Sequence, residues 1–273
     1  MQGEFPATGE LDGVTDATTG PDPAARIARA PQPIDLVLLP GIDGTGAAFR
    51  PLLELLPPHV RPTVVTYPPD EVLGYAELLP LVRARLPDRP FVLLGESFGS
   101  PLAIQLMASR PPGLRGLILS AAFARNPLWL KQNWLAHFAR PLVFRAYGPY
   151  VRFKVWRRGP NAANAVRLAA LTRETHRVIA ERAKAALCVD VGHLLSSCDV
   201  PVLSVRGLRD RLVPRRNLLE LSRCLPSMRV AELDGGHCLL RIRPHMALPI
   251  LLDFIERCAP ERHERAVAST DLP

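Results

Sequence analysis

The sequence predicts an α/β protein with a doubly wound, mostly parallel sheet and a helical lid inserted near its middle. Short, nearly unbroken apolar runs alternate with segments of helical periodicity on both sides of that insertion. Such runs suit strands that are buried on both faces, and their repeated alternation with helices favours right-handed crossovers. Over residues 124–199 the alternation stops, and helical segments follow one another without clear strands.

The elements before the insertion follow one another in regular order. Proline and glycine punctuate their ends. We predict strands at 34–41 (IDLVLLPG), 61–69, 90–95 and 114–123, and helices at 77–87 and 98–110. Pro101 falls in the first turn of the second helix, where its missing N–H costs nothing.

The alternation resumes after the insertion. We predict strands at 200–207 and 228–236 and helices at 214–226 and 244–258. Ligands of such sheets bind outside the carboxyl ends of the strands, so the loops that follow the strands are where functional residues are expected.

The remaining segments frame this core. The chain has 273 residues, 48% of them hydrophobic, enough for one sizeable core. We expect the core to comprise residues 34–123 and 200–258, with residues 124–199 as the lid. Residues 1–33 lack periodicity and predict a flexible N-terminal tail, and residues 259–273 a C-terminal tail.

The motif GESFG at 95–99 sets a serine between two glycines, directly after a predicted strand and before a predicted helix. A G-x-S-x-G motif in this context is typical of a strained turn that exposes a nucleophilic hydroxyl. Larger residues at the glycine positions would collide with the neighbouring strand and helix. We therefore predict that Ser97 is a nucleophile, the alternative being a small-residue turn that feeds a helix.

A serine needs a base, and the base needs an acid that fixes its tautomer. His237 follows the last predicted strand in ELDGGHC, and Asp210 follows the strand before it in GLRDRLVP. The order Ser97, Asp210, His237 is the order that this architecture uses. Asp210 has an alternative role as a helix cap or as a partner of Arg209 or Arg211.

An oxyanion hole needs two N–H donors that point at the developing charge. We expect one from Phe98, the residue after the nucleophile, and one from Ile42 in the loop LLPGIDGTGAAF at 38–49. The glycines of that loop permit close approach of substrate. GIDGTG lacks the spacing of a dinucleotide motif and the lysine of a P-loop.

The segments LPGIDGTG, GESFG, GLRDRLVP and DGGHC resemble those of the α/β-hydrolase superfamily, in the expected order and over most of residues 34–258. The resemblance implies an α/β-hydrolase fold, Ser97, Asp210 and His237 as nucleophile, acid and base, and Ile42 and Phe98 as oxyanion donors. The oxyanion loop is similar to that of proteins acting on acyl esters, including plastid phytyl-ester and acylglycerol acyltransferases. Two departures are Pro40 in place of the common histidine and Ser100 in place of a second glycine.

The resemblance and the residues together favour a serine hydrolase that cleaves a carboxylic ester or thioester through an acyl-enzyme. Three alternatives remain: transfer of the acyl group to an alcohol, a binding protein without catalysis, and C–C bond hydrolysis. The HxxxxD acyltransferase motif is absent from the sequence.

The resemblance implies a small-molecule acyl ester or thioester as the partner of this protein. The net charge is +8, yet no basic run carries interleaved stacking aromatics, so nucleic acid is not expected. The five cysteines lack CxxC spacing, and neither a metal nor a cofactor is predicted.

The N-terminal sequence and the predicted lid bear on location and substrate. The N-terminus has no secretory pattern and no window spans a membrane, which favours a cytoplasmic protein. Residues 126–159 mix three tryptophans with basic residues. That mixture suits an ordinary amphipathic lid or, alternatively, an acyl pocket with a basic face for anionic lipid or CoA phosphates. Oligomeric state is left open.

Overall fold

The described strands of the protein form one sheet in which every neighbouring pair is parallel. The computed structural model describes residues 33–128 and 173–259, and within them six strands lie in the order β2-β1-β3-β4-β5-β6. The strands are β1 Ile34–Leu39, β2 Val60–Val64, β3 Phe91–Glu96, β4 Leu114–Ser120, β5 Val202–Gly207 and β6 Arg229–Leu233.

Helices connect these strands and cover both faces of the sheet. They are α1 Arg50–Leu53, α2 Tyr75–Arg83, α3 Gly99–Ala108, α4 Arg173–Cys188, α5 Arg215–Cys224, α6 Leu239–Ile242 and α7 Pro244–Cys258, with short 3-10 turns at Ala47–Phe49 and Gly192–Ser197. This is the doubly wound α/β architecture that the sequence predicts.

The alternating residues of β1 show why its sequence is apolar at every position except Asp35. Val37 and Leu39 pack into the cluster that includes α2 and α3, whereas Leu36 and Leu38 pack into the cluster on the other face, which includes α7. All four are fully buried. A strand with helices on both faces has no solvated side, so the apolar run is nearly continuous rather than alternating.

The chain reverses its direction of travel across the sheet between β1 and β3. From β1 it moves outward to β2, then returns across β1 to β3 and proceeds to β6. The two neighbouring strands at such a switch point send their following loops in opposite directions, which opens a crevice at their carboxyl ends. The loops that follow β1 and β3 are the glycine-rich loop and the GESFG turn.

Element ends differ from the predictions by a few residues. Helix α2 begins at Tyr75 rather than 77, because Glu77 accepts the Gly74 N–H at 2.9 Å and caps the helix start. Strand β6 ends at Leu233 rather than 236, where the chain turns toward His237.

The predicted lid and tails fall largely outside the described residues. Residues 129–172, with the three tryptophans and most of the basic positions, lie outside them, as do residues 1–32 and 260–273. The described ends of the insertion are joined by an antiparallel bridge between Arg125 and Asp190, whose side chains pair at 3.0 Å. Among the helices of the described ranges, none is long and apolar enough to cross a membrane.

Candidate active site

Ser97 lies in a strained turn between β3 and α3. Its φ is 51°, in the left-handed region that side chains other than glycine adopt only under constraint. A Cβ at Gly95 would lie 2.7 Å from the Gly99 carbonyl oxygen, and a Cβ at Gly99 would lie 2.5 Å from the Leu39 carbonyl oxygen. The structure therefore confirms that both glycines are needed for close packing.

Ser100, noted above as a departure from the common motif, ties this turn to its surroundings. Its backbone N–H and its hydroxyl both reach the Ser97 carbonyl, at 2.9 and 2.7 Å. The hydroxyl also lies 3.2 Å from the Phe123 N–H and carbonyl, at the start of the loop after β4. A hydroxyl at this position thus adds bonds that a glycine would lack.

His237 lies within hydrogen-bond reach of both other candidate residues. Its Nε2 is 2.9 Å from the Ser97 Oγ, and its Nδ1 is 2.9 Å from the Asp210 Oδ2. Gly207, at the end of β5, makes room for this loop, because a Cβ there would lie 2.5 Å from the Gly235 and Gly236 carbonyl oxygens. The three candidates, distant in sequence, meet at one edge of the sheet.

The Asp210 carboxylate is held on both oxygens. Oδ1 accepts the N–H groups of Leu212 and Val213, each at 2.9 Å, and Oδ2 faces His237. Burial alone would raise the pKa of Asp210, but the hydrogen bond and charge of His237, with these N–H groups, lower that pKa below its ordinary value. The group is therefore an anion across the neutral range.

Two other aspartates close to the ends of β5 and β6 have partners of their own. Asp199 pairs with Arg110, and Asp234 pairs with Arg209 and Arg243. Arg209 therefore has a partner other than Asp210, which leaves the carboxylate of Asp210 to His237.

Beside Ser97, β1 leads into the loop predicted to supply an oxyanion donor. A Cβ at Gly41 would lie 3.9 Å from the Ser97 Cβ, so the loop backbone passes beside the Ser97 side chain. Within the described part of the chain, the N–H groups of Ile42 and Phe98 donate no hydrogen bond. The Phe98 ring is stacked on Tyr75, with ring centres 4.6 Å apart, and meets Tyr67 edge-on at 6.1 Å, so its side chain points away from the Ser97 hydroxyl into a buried aromatic cluster.

Two further charged groups, which the sequence did not point out, lie at this site. Glu96 is 6% exposed, and burial, opposed by the charge of His237, raises its pKa to about 7. Arg182 of α4 is buried against the Ile42 loop and donates to its carbonyls. A signal for Arg182 existed: it shares the apolar stripe of α4 with Val178 and Ala186, at i−4 and i+4.

No group of three or more metal-ligating side chains occurs within residues 33–128 and 173–259. The site presents a hydroxyl, an imidazole with a carboxylate behind it, and two N–H groups that donate no hydrogen bond within the described residues.

A parallel doubly wound sheet with a serine turn after β3 and this constellation at its carboxyl edge defines an α/β hydrolase. A family model described as "Serine aminopeptidase, S33" matches residues 71–239, more than half of the chain. The chain therefore belongs to this family of α/β hydrolases and is a hydrolase enzyme.

Similar proteins carry esterase and thioesterase names. The chain is 30% identical over 222 residues to the pimeloyl-[acyl-carrier protein] methyl ester esterase of Xanthomonas oryzae pv. oryzae, covering 74% of this chain and 86% of that protein. It is 28% identical over 196 residues to the enzyme of the same name from Neisseria meningitidis serogroup A, where it spans 66% of this chain and only 62% of the relative. A solved structure, the type II thioesterase BorB from the borrelidin biosynthetic cluster, shares the fold with a TM-score of 0.62 and 20% identity, covering 83% of this chain and 94% of that one.

Proposed function

We propose that this hydrolase cleaves a carboxylic ester or thioester through an acyl-enzyme, with Ser97 as nucleophile, His237 as general base and Asp210 as the acid that orients it. The observation that supports the proposal best is the continuous chain of contacts from Asp210 Oδ2 to His237 Nδ1 and from His237 Nε2 to Ser97 Oγ, both 2.9 Å. The anionic state of Asp210 suits the tautomer with a proton on Nδ1, which leaves Nε2 free to accept one.

The first half-reaction forms the acyl-enzyme. As Ser97 Oγ bonds to the carbonyl carbon, its proton passes to His237 Nε2 and the carbonyl oxygen becomes an oxyanion. The unengaged N–H groups of Ile42 and Phe98 are the proposed donors to that oxyanion. His237 then gives its proton to the departing alcohol or thiol as the bond to the leaving group breaks.

The second half-reaction releases the acid. Water attacks the acyl carbon and transfers a proton to His237 Nε2, a second oxyanion forms in the same place, and collapse returns the proton to Ser97. An alcohol that replaces water at this step would turn hydrolysis into acyl transfer, so this step distinguishes the two reactions.

Methyl esters are the first substrates to test, because the relatives named above are methyl ester esterases of an acyl group on a carrier protein. We propose a chain-length series of acyl methyl esters, p-nitrophenyl esters and acyl-CoA thioesters, with amino-acid p-nitroanilides as the peptidase arm. Added short alcohols report acyl transfer.

Ser97→Ala is the decisive variant. We expect ester hydrolysis and fluorophosphonate labelling to disappear, and intact mass to place the label of the unaltered enzyme on Ser97. The matched control is Ser109→Ala, which replaces an exposed serine at the C-terminal end of α3, the helix that follows Ser97. Ester hydrolysis that persists in Ser97→Ala, or turnover of the p-nitroanilides above that of every ester, would overturn the proposal.

A further inference from the structure

The carbonyl groups of residues 40–44, in the loop after β1, are each engaged as acceptors. Tyr67 donates its hydroxyl to the Pro40 carbonyl at 3.1 Å and its N–H to the Gly44 carbonyl at 2.8 Å. The Gly44 N–H closes a turn onto the Gly41 carbonyl at 3.0 Å. Burial raises the pKa of the Tyr67 hydroxyl well above its ordinary value, so this hydroxyl stays a donor. The carbonyls of Ile42 and Asp43 remain, and both are bound by Arg182.

Arg182 contacts this loop although it lies 140 residues from Ile42 in the sequence. Its Nη1 lies 3.3 Å from the Ile42 carbonyl oxygen and 3.2 Å from that of Asp43. Its Nη2 lies 2.7 Å from the Pro68 carbonyl oxygen, and its guanidinium carbon lies 5.4 Å from the centre of the Tyr67 ring.

The burial of this cation indicates a specific role. Arg182 is 1% exposed and forms no ion pair with an acidic side chain in the part of the chain described here. Burial lowers its pKa, yet an arginine stays charged throughout the working range. A buried charge is costly unless hydrogen bonds replace its water. Here the carbonyls of Ile42, Asp43 and Pro68 bind the two terminal nitrogens of Arg182, whereas its Nε has no partner among the described residues.

Peptide geometry connects these carbonyls to catalysis. In a trans peptide the C=O and the N–H point in opposite directions. With the Gly41 carbonyl turned into the Gly41–Gly44 turn, the Ile42 N–H points out of that turn. Arg182 binds the carbonyls of Ile42 and Asp43 and so fixes the next two peptide planes. With these planes fixed, the peptide that carries the Ile42 N–H cannot rotate out of its orientation.

We propose that Arg182 is a positioning residue for the oxyanion hole, which holds the Ile42 N–H toward the oxyanion through the carbonyls of Ile42 and Asp43. The inference rests on the proposed function, because it assigns the donor role to Ile42. Arg182 does not touch the substrate; it acts through the loop. Since α4 is the first described helix after residues 129–172, the insertion contributes to catalysis through this arginine.

The test compares Arg182→Met and Arg182→Lys with Arg177→Met, which alters an exposed arginine on the same helix. Loss of a single oxyanion donor costs about 10²–10³-fold in kcat, so a donor that is present but loosely held should cost about 10–100-fold. We expect this loss in kcat with KM changed less than about 3-fold, because the donor acts on the transition state. Lysine keeps the positive charge but lacks the paired N–H donors of the guanidinium. We therefore expect Arg182→Lys to lose less kcat than Arg182→Met.

A trifluoromethyl ketone of the best substrate provides a readout that stability alone does not move. It adds to Ser97 as a charged hemiketal, so its affinity should fall in parallel with kcat in Arg182→Met, whereas affinity for the product acid should not. If Arg182→Met does not fold, the kcat and the ketone affinity of Arg182→Lys test the proposal instead. A folded variant with kcat and ketone affinity within about 3-fold of the unaltered enzyme would overturn the inference.

The controls separate this inference from the function on which it rests. If the unaltered enzyme hydrolyses esters and labels on Ser97 while the Arg182 variants match it, only the positioning role fails. If the unaltered enzyme neither hydrolyses esters nor takes the label, the proposed function itself fails. Arg177→Met should behave as the unaltered enzyme throughout.

Discussion

Replacing Asp210 with asparagine tests the candidate site through the two oxygens of one side chain. Oδ1 accepts two backbone N–H groups, from Leu212 and Val213, at 2.9 Å each. In the asparagine variant only the amide oxygen can accept these donors, so it must take the Oδ1 position. The amide NH₂ then occupies the Oδ2 position, 2.9 Å from His237 Nδ1, and donates to it.

This substitution reverses the histidine tautomer. A Nδ1 that accepts a hydrogen bond carries no proton, so the neutral ring of His237 carries its proton on Nε2, the atom that faces Ser97 Oγ. A protonated Nε2 cannot take the serine proton. Errors of tautomer in such triads cost about 10⁴-fold in kcat, which corresponds to about 5 kcal/mol of transition-state stabilisation.

The fold should tolerate the change, because the amide keeps all three hydrogen bonds of the carboxylate. We expect a stability loss of only about 1–2 kcal/mol, from bonds that are no longer charge-assisted. The assay is kcat with the best ester at pH 7, together with the fluorophosphonate labelling rate and the thermal midpoint.

Asp234→Asn is the matched control, since this carboxylate lies three residues before His237 but pairs with Arg209 and Arg243. We expect its kcat to stay within about 3-fold of the unaltered enzyme, as for surface changes in general. A folded Asp210→Asn variant that retains more than a tenth of the activity would refute the argument from tautomers.

Three further outcomes follow from backbone contact and charge. Gly99→Ala sets a Cβ 2.5 Å from the Leu39 carbonyl oxygen and should cost about 1–3 kcal/mol of stability. The control Gly236→Ala, whose Cβ would have no atom within 4 Å, should cost little. Equal thermal midpoints for the two variants would contradict this. Burial raises the pKa of Glu96 to about 7 from an ordinary value of 4.5, so the folded state holds this proton more tightly than the unfolded state, and stability falls as pH rises between these values. Glu96→Gln should therefore stabilise the protein at pH 8 by on the order of 3 kcal/mol more than at pH 4, measured by denaturant unfolding; a gain independent of pH would count against it. The lowered pKa of Asp210 acts in the opposite sense. Its contribution to stability is present above the ordinary aspartate pKa of about 4 and is lost as pH falls through the lowered pKa, so the Asp210→Asn variant should lose less stability on acidification than the unaltered enzyme. An equal loss in both proteins would show that this carboxylate does not contribute to acid unfolding.

The fold class could be predicted from sequence because each buried strand carries its own signal. The run Ile34–Leu39 is apolar at all but one position because helices cover both of its faces. Element ends were less accurate, since they depend on caps such as the one between Gly74 and Glu77, which periodicity does not record.

The candidate site could be predicted for a related reason. Parallel strands all deliver their following loops to one edge of the sheet, so the loops after β1, β3, β5 and β6 must gather there even though they are distant in sequence. Ser97, Asp210 and His237 each stand a few residues beyond a strand end, and strand order alone brings them near one another. Their roles remain a proposal, whereas their proximity follows from topology.

Arg182 could not be predicted in the same way. It is 140 residues from Ile42 in sequence, and it comes from a helix between β4 and β5 rather than from a strand end, so no rule of sheet topology brings it to the loop. Its partners are backbone carbonyls, which every residue possesses and which leave no trace in a sequence. What a sequence can record is an arginine in an otherwise apolar stripe, between Val178 and Ala186 on α4. Because a buried arginine without an acidic partner must find other acceptors, that pattern indicates a backbone segment held in place, and here the segment held is the one beside the nucleophile.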